Sequence, residues 1–110
     1  MIEVTIKDYL DLNLSVPVYL NKPSPGGEYV VFEKTGSGKG DHLPSATIAF
    51  QSYAGSLYRA MQINEEVKEA VESMVNLDEV RGVSLNGDYN YTDITTKEFR
   101  YQAVYEIRFY

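Results

Sequence analysis

Apolar residues near the N-terminus repeat at helical spacing and then give way to an extended segment. We predict a short helix that Thr5 caps and that the step Ser15-Val16-Pro17 ends, because the residue before a proline disfavours helical backbone. Its apolar side consists of Ile6, Tyr9, Leu10 and Leu12.

Three extended segments follow the first helix. Residues 18–20 predict a short strand, and residues 21–27 are a connector rich in Gly and Pro. Residues 28–35 predict a strand with Val30 and Phe32 opposite Tyr29 and Val31. Residues 45–53 predict another strand, with Ile48 and Phe50 on one face and Thr47, Ala49 and Gln51 on the other. Between these two strands, residues 36–44 (GSGKGDHLP) predict a flexible loop.

Over residues 57–75, apolar residues recur at helical spacing instead of at every second position. Glutamates and Lys68 occupy the opposite side of this predicted helix, as solvent-facing residues do. Asn64 is a potential cap for a second helix, which leaves open a break near Gln62. The apolar side consists of Leu57, Ala60, Met61, Val67, Ala70, Val71, Met74 and Val75.

The last thirty residues predict a long hairpin whose apolar residues carry odd numbers on both strands. Directly paired residues share a face, so a turn around Thr95 satisfies the pattern and pairs Tyr89 with Tyr101 and Leu85 with Tyr105. A tight turn at Asn86-Gly87 would oppose polar and apolar residues. We therefore interpret Asn86-Gly87 as a bulge or bend inside a strand.

These elements predict an α+β domain in the order α-β-β-β-α-β-β. About five strands form a mostly antiparallel sheet, with a short N-terminal helix and one longer helix packed on one face. We expect the long helix to cover Tyr89, Tyr91, Tyr101 and Tyr105.

Composition narrows the classes of protein that fit. A chain of 110 residues suits one domain, residues 1–110, and 44% apolar residues suffice for a core. There is no Cys, so disulfides and thiolate sites are excluded, and the net charge of −6 is unfavourable for diffuse DNA binding. No leader and no apolar run of about 20 residues is visible, so we expect no membrane association. Ten tyrosines suit either half-buried strands or interfaces.

Two segments have a partial likeness to ligand-binding loops. In GSGKG, residues 36–40, Glu33 stands where a phosphate loop requires Gly, and Gly40 stands where it requires Ser or Thr. Residues 88–93 carry spaced oxygen donors, but Asp93 and Phe99 replace the Gly and Glu of a calcium loop. Both segments are better explained as turns and connectors.

The remaining polar residues do not combine into a catalytic pattern. His42 is the single histidine and has no identifiable partner, and the glutamates between residues 65 and 72 fit a solvated helix face. We therefore expect no enzyme activity, no catalytic residues, no metal site and no cofactor.

Several segments resemble the tail-terminator, or tail-completion, proteins of long-tailed bacteriophages and prophages, and the element order agrees across nearly the whole chain. The resemblance starts with residues 46–54 (ATIAFQSYA), where a strand leads into a helix started by Ser, and continues with Leu57-Tyr58, Ala60 and residues 64–67 (NEEV). It extends to residues 85–93 (LNGDYNYTD) and 99–107 (FRYQAVYEI).

The resemblance implies a structural virion protein that caps the growing tail tube and joins it to the head connector. Such proteins commonly form a hexameric ring, through whose lumen DNA passes without specific binding. The implied partners are further copies of the chain, the tail tube protein and neck proteins. The implied location is the virion, after assembly in the cytoplasm of the bacterial host.

The contact residues that we predict fall into two groups. Lys39, Asp41 and His42 belong to the loop, and the second group lies on the non-core face of the last strand: Arg100, Gln102, Glu106 and Arg108. Each residue could equally be solvated, and the strand charges could equally protect a sheet edge from aggregation.

Two other functions remain open on sequence grounds. The first is a head-closure or minor tail protein of the phage neck. The second is a small-ligand or peptide-binding module in which Tyr89, Tyr91, Tyr101 and Tyr105 line a cavity.

Overall fold

A computed structural model of the chain describes residues 1–23, 26–40, 43–96 and 98–110. Its elements are, in order, α1 (Ile2–Asn13), β1 (Val18–Tyr19), β2 (Tyr29–Gly40), β3 (Leu43–Ala54), α2 (Leu57–Ser73), a 3₁₀ turn (Met74–Asn76), β4 (Val80–Asn90) and β5 (Phe99–Phe109). The predicted α+β class and element order are confirmed.

The five strands form one sheet in the order β1-β2-β3-β5-β4. Strand β1 is parallel to β2 and pairs only with Val30 and Val31. The other neighbouring strands are antiparallel. The C-terminal strand β5 therefore lies in the interior of the sheet, and β4 forms one of its edges.

Helix α1 begins earlier than predicted. It starts at Ile2, and its cap position is Met1 rather than Thr5. Burial of Ile2, Ile6 and Leu10, each four residues apart, extends the helix beyond the expected cap. The placement of Leu12 on the apolar side was wrong, because this side chain is 86% exposed.

Helix α2 is continuous, so the break considered near Gln62 does not occur. The hydroxyl of Ser56 accepts a hydrogen bond from the backbone N–H of Arg59 at 3.2 Å and caps the helix. Asn64 is not a cap, since it lies inside the helix and is 1% exposed. One buried face runs through this position and carries the helix past it: Ala60, Ile63, Asn64, Val67, Ala70 and Val71.

Both helices contribute to one core on the same side of the sheet, and α2 lies across β3 and β5. The predicted odd-numbered side of β5 is confirmed, because Ala103, Tyr105 and Ile107 are fully buried. Tyr105 donates a hydrogen bond from its hydroxyl to Glu72 at 2.5 Å. The largest fully buried side chains include Tyr105, Phe32, Phe50, Ile6 and Leu10.

The predicted bulge at Asn86-Gly87 is confirmed, and it changes the hairpin register. Leu85 pairs with Tyr105 as predicted, but the register shifts between Leu85 and Gly87. Tyr89 consequently pairs with Gln102, so the predicted pairing with Tyr101 was wrong. The reason is that one extra residue in a strand reverses which face the following side chains occupy. The described part of the predicted turn is confirmed at residues 94–96.

The predicted loop over residues 36–44 is instead mostly a β-hairpin. Residues 36–40 end β2 and pair with β3, whose first residues are Leu43 and Pro44. Hydrogen bonding to β3 compensates for the weak strand preference of the glycines. The predicted contact residues Asp41 and His42 lie outside the described residues, as do Ser24, Pro25 and Lys97.

Candidate interaction surface

We use the name open face for the side of the sheet opposite the two helices. The sheet pairing aligns one row of side chains across all five strands on this face: Tyr19, Val31, Gln51, Gln102 and Tyr89. A second row beside it consists of Tyr29, Tyr53 and Arg100. Tyrosines of four different strands therefore lie on one face that no described helix covers.

Tyr29 and Tyr53 form the buried part of this surface. Their rings are stacked, with centroids 4.7 Å apart and an interplanar angle of 19°. Both side chains are 3% exposed and form a small cluster with Val31, separate from the main core. A stacked aromatic pair stabilises the fold by about 1 kcal/mol beyond the effect of burying its surface. The open face therefore has a small packed cluster of its own.

Arg100 connects this pair to the exposed ring of Tyr91, which directly follows β4. Its guanidinium carbon lies 5.8 Å from the ring centre of Tyr53 and 4.5 Å from that of Tyr91. The same side chain donates to the hydroxyl of Tyr53 at 3.1 Å and to the backbone carbonyl of Tyr91 at 2.5 Å. These contacts hold a long cationic side chain in one orientation.

Two glutamines continue the hydrogen bonding across the sheet. Gln102 donates to the hydroxyl of Tyr89 at 2.5 Å and accepts from Gln51 at 2.9 Å. The hydroxyl of Tyr53 donates to Gln51 at 3.3 Å. We call the connected residues the tyrosine network: Tyr53, Tyr89, Tyr91, Gln51, Gln102 and Arg100.

An ion pair borders the tyrosine network at the end of the sheet. Lys22 pairs with Glu98, which also accepts a hydrogen bond from the hydroxyl of Tyr29 at 3.2 Å. Burial of the ring, together with the negative charge of Glu98, raises the pKa of Tyr29 to about 12. The hydroxyl of Tyr29 is therefore protonated at neutral pH and acts here as a donor.

The predicted contact residues of β5 all lie on the open face, as the sequence pattern predicts. Arg100 and Gln102 belong to the tyrosine network at one end. At the other end, Arg108 donates to Glu106 at 2.7 Å and to Ser84 at 3.1 Å. Lys39 is exposed near that end, where it pairs with Pro44 in the hairpin. Because Lys39 alternates with Gly38, whose row across the sheet includes Arg108, its side chain lies on the helix side of the sheet and not on the open face. The role of all these residues as contacts stays a prediction.

Sequence reasoning missed the β1, β2 and β3 residues of this surface, although a signal was present. Gln51 alternates with the buried Phe50, and Tyr29 alternates with Val30. The missing information was the strand order, because only the neighbouring position of β3 and β5 brings Tyr53 next to Arg100.

The four tyrosines proposed to line one cavity are divided between the two faces. Tyr105 is fully buried beneath α2, and Tyr101 packs against the same core. Tyr89 and Tyr91 are 44% and 43% exposed and belong to the tyrosine network. The expectation that α2 covers all four was therefore wrong for Tyr89 and Tyr91, because the bulge at Asn86 moves the end of β4 to the other face.

A groove of about 220 Å³ lies between α2 and the ends of β4 and β5. Asn64 in its wall donates to Asp88 at 3.0 Å, and Lys68 donates to the same carboxylate at 2.9 Å. The Asp88 hydrogen bond raises the pKa of Lys68, so the ammonium stays charged beside its partner. The exposed side chains of Tyr58 and Met61 make the outer wall apolar.

Within the ranges that the structure describes, no three His, Cys, Asp or Glu side chains are grouped so that they could hold a metal ion. Neither described helix has both the length and the apolar composition that crossing a bilayer requires.

Comparison with known proteins supplies no family for this chain. No protein-family model matches it, and no curated protein matches it at a significant level.

Proposed function

We propose that this protein is a tail-terminator subunit, which forms a ring at the end of a phage tail tube and docks to its partners through the open face. The proposal starts from the resemblance of residues 46–54, 85–93 and 99–107 to that family. The observation that supports it most is the tyrosine network, an ordered surface of aromatic and cationic side chains.

The composition of the tyrosine network suits protein binding. Tyrosine and arginine are enriched among the residues that dominate binding energy at interfaces. Here Arg100 is fixed by two hydrogen bonds and two rings before any partner arrives. A side chain that is already ordered loses less entropy on binding, so more of the contact energy contributes to affinity.

The distribution of charge fits a protein through which DNA passes. Residues 1–13 and 57–79, which hold the helices, carry nine acidic and three basic side chains and thus the whole net charge of −6. The remaining segments carry seven of each sign. The helical side therefore repels phosphate groups, and the sheet side offers no basic excess to bind them.

A phage or prophage that encodes this chain allows a direct test. Deletion of the gene is expected to give overlong tails in electron micrographs, because nothing would stop tube polymerisation. Complementation with the wild-type gene is expected to restore normal tails. Tails of normal length after deletion would contradict the terminator role. Heads that lose DNA beside normal tails would favour the head-closure alternative.

The open face can be tested separately with Arg100→Glu. This change removes the cation that contacts Tyr53 and Tyr91, and we expect binding to purified tail tubes to weaken by about 30-fold or more, the loss of one dominant contact of about 2 kcal/mol. Sedimentation with tubes measures the binding.

The matched control is Arg59→Glu, which makes the same change of charge at the start of α2. Arg59 pairs with Glu28 at 2.7 Å and is not part of the tyrosine network. We expect this variant to bind tubes like the wild type, and thermal unfolding checks that both variants fold. Equal loss of binding in both variants would show that net charge, not the tyrosine network, determines binding.

A further inference from the structure

The sheet has two free edges, which lie on opposite sides of the molecule. Strand β1 covers β2 only at Val30 and Val31, so in the described chain residues 33–40 of β2 pair with β3 alone. Strand β4 pairs with β5 and with no other described strand. Free edges present unpaired backbone N–H and C=O groups, which pair readily with another strand.

The directions of the two edge strands allow the sheet to continue from one copy to the next. The pairs β2–β3, β3–β5 and β5–β4 are all antiparallel, so β2 and β4 run in opposite directions. If a second copy is placed beside the first in the same orientation, its β2 meets β4 as an antiparallel neighbour. The helices of both copies then stay on the same side.

The free segments of the two edge strands also lie at the same level along the strand direction. Gly36, Thr47, Glu106 and Ser84 form one row across the sheet. Gly38, Ser45, Arg108 and Gly82 form another. A rotation without translation along the strands therefore brings Ser84 of one copy opposite Gly36 of the next, and Gly82 opposite Gly38.

The side chains at these positions allow the two edge strands to come within pairing distance. The guanidinium of Arg108 lies over Gly82, and a Cβ added at Gly82 would be 2.5 Å from a guanidinium nitrogen. The same guanidinium donates a hydrogen bond to the hydroxyl of Ser84 on the edge strand. Gly36 and Gly38 have no side chain that would collide with this group. Register shifts at Thr35 and Arg81 limit the regular pairing to residues 36–38 and 82–84.

We propose that copies of this protein join edge to edge, with residues 82–84 of β4 in one copy paired to residues 36–38 of β2 in the next. This inference rests on the proposed ring. The contact uses two different surfaces, so each added copy presents a new free edge until rotation closes the ring.

Cysteine cross-linking tests the contact sharply, because the natural chain contains no Cys. The variants are Gly36→Cys, where an added Cβ meets no atom within 4 Å, and Ser84→Cys, which has nearly the same shape as Ser. Within one chain the two positions are three strand spacings apart, about 14 Å, too far for a disulfide. Any disulfide between them must therefore join two copies.

The expected pattern has three parts after mild oxidation and non-reducing electrophoresis. The double variant gives a ladder of covalent oligomers. Each single variant alone stays a monomer, and the two single variants expressed together give a covalent dimer. The control is the double variant Gly36→Cys with Asn90→Cys. Asn90 lies on β4 like Ser84, but at the end away from the proposed contact, so we expect no ladder.

Other outcomes would overturn the inference in recognisable ways. A dimer from Ser84→Cys alone would indicate pairing of β4 with β4 and a closed dimer. Wild-type oligomers in native mass spectrometry without a ladder from the double variant would reject edge pairing but leave the ring intact. A wild-type protein that stays monomeric in solution and on tail tubes would reject the proposed function itself.

Discussion

At the residue scale, tyrosine has two different environments in this protein. Tyr105 is buried in the main core, where desolvation and then Glu72 raise its pKa, and its hydroxyl donates to that carboxylate. Tyr29 and Tyr53 are equally inaccessible, although they lie on the face without helices, because they stack on each other and neighbouring side chains cover them. Ten tyrosines in the sequence could not reveal this division, since each has the same apolar ring and polar tip.

Tyr29→Phe is expected to reduce the loss of stability at alkaline pH. The pKa of Tyr29 is raised from 10.0 to about 12, so between these values the unfolded chain releases a proton that the folded chain retains. The contribution to stability is therefore complete below about pH 10 and is lost as the pH rises toward 12. Urea unfolding across this range measures the slope.

The control for this prediction is Tyr58→Phe, because Tyr58 is 72% exposed. We expect its slope to match that of the wild type, whereas the slope of Tyr29→Phe is smaller. Identical slopes in all three proteins would show that Tyr29 ionises alike in the folded and unfolded chains.

At the element scale, the sequence pattern predicts the type of each main element better than its ends. Periodicity identifies α2 because its buried face repeats over the whole helix. The start of α1 was misplaced because burial of Ile2 outweighs a potential cap at Thr5. The glycines of residues 36–40 predict a loop because glycine has a low strand preference, but pairing with β3 overrides this preference.

Ser56→Ala is expected to lower the free energy of unfolding by about 1 kcal/mol, because the first turn of α2 loses the acceptor for the Arg59 N–H. Ser56→Asp retains a capping oxygen and adds a favourable charge at the helix start, so we expect stability close to that of the wild type. Urea unfolding compares the three proteins. A loss as large in the Asp variant as in the Ala variant would contradict the role of Ser56 as a cap.

At the scale of the whole molecule, charge is divided between the two layers. Residues 1–13 and 57–79, which hold the helices and the connection to β4, carry the net charge of −6, and the remaining residues sum to zero. Glu65 and Glu69 are one turn apart on the exposed side of α2, with Glu72 following. Like charges at this spacing destabilise a helix.

Glu69→Lys is therefore expected to raise the free energy of unfolding by about 0.5 kcal/mol at low salt, since it replaces repulsion by attraction between neighbouring turns. The gain should shrink in 1 M salt, where charges are screened beyond about 3 Å. Glu69→Gln separates removal of the negative charge from the new attraction. A gain that does not depend on salt would contradict an electrostatic origin.

The sequence by itself determined the two-layer α+β class, the odd-numbered core side of β5, the bulge at Asn86 and the placement of the predicted β5 contact residues on the non-core face. These features follow from local periodicity, which depends only on residues near one another in the chain. Only the tertiary structure decided the strand order, the register after the bulge and the joining of residues from β2, β3, β4 and β5 into one surface. Those features depend on which distant strands become neighbours, and a one-residue shift there moves Tyr89 and Tyr91 from the core to the open face.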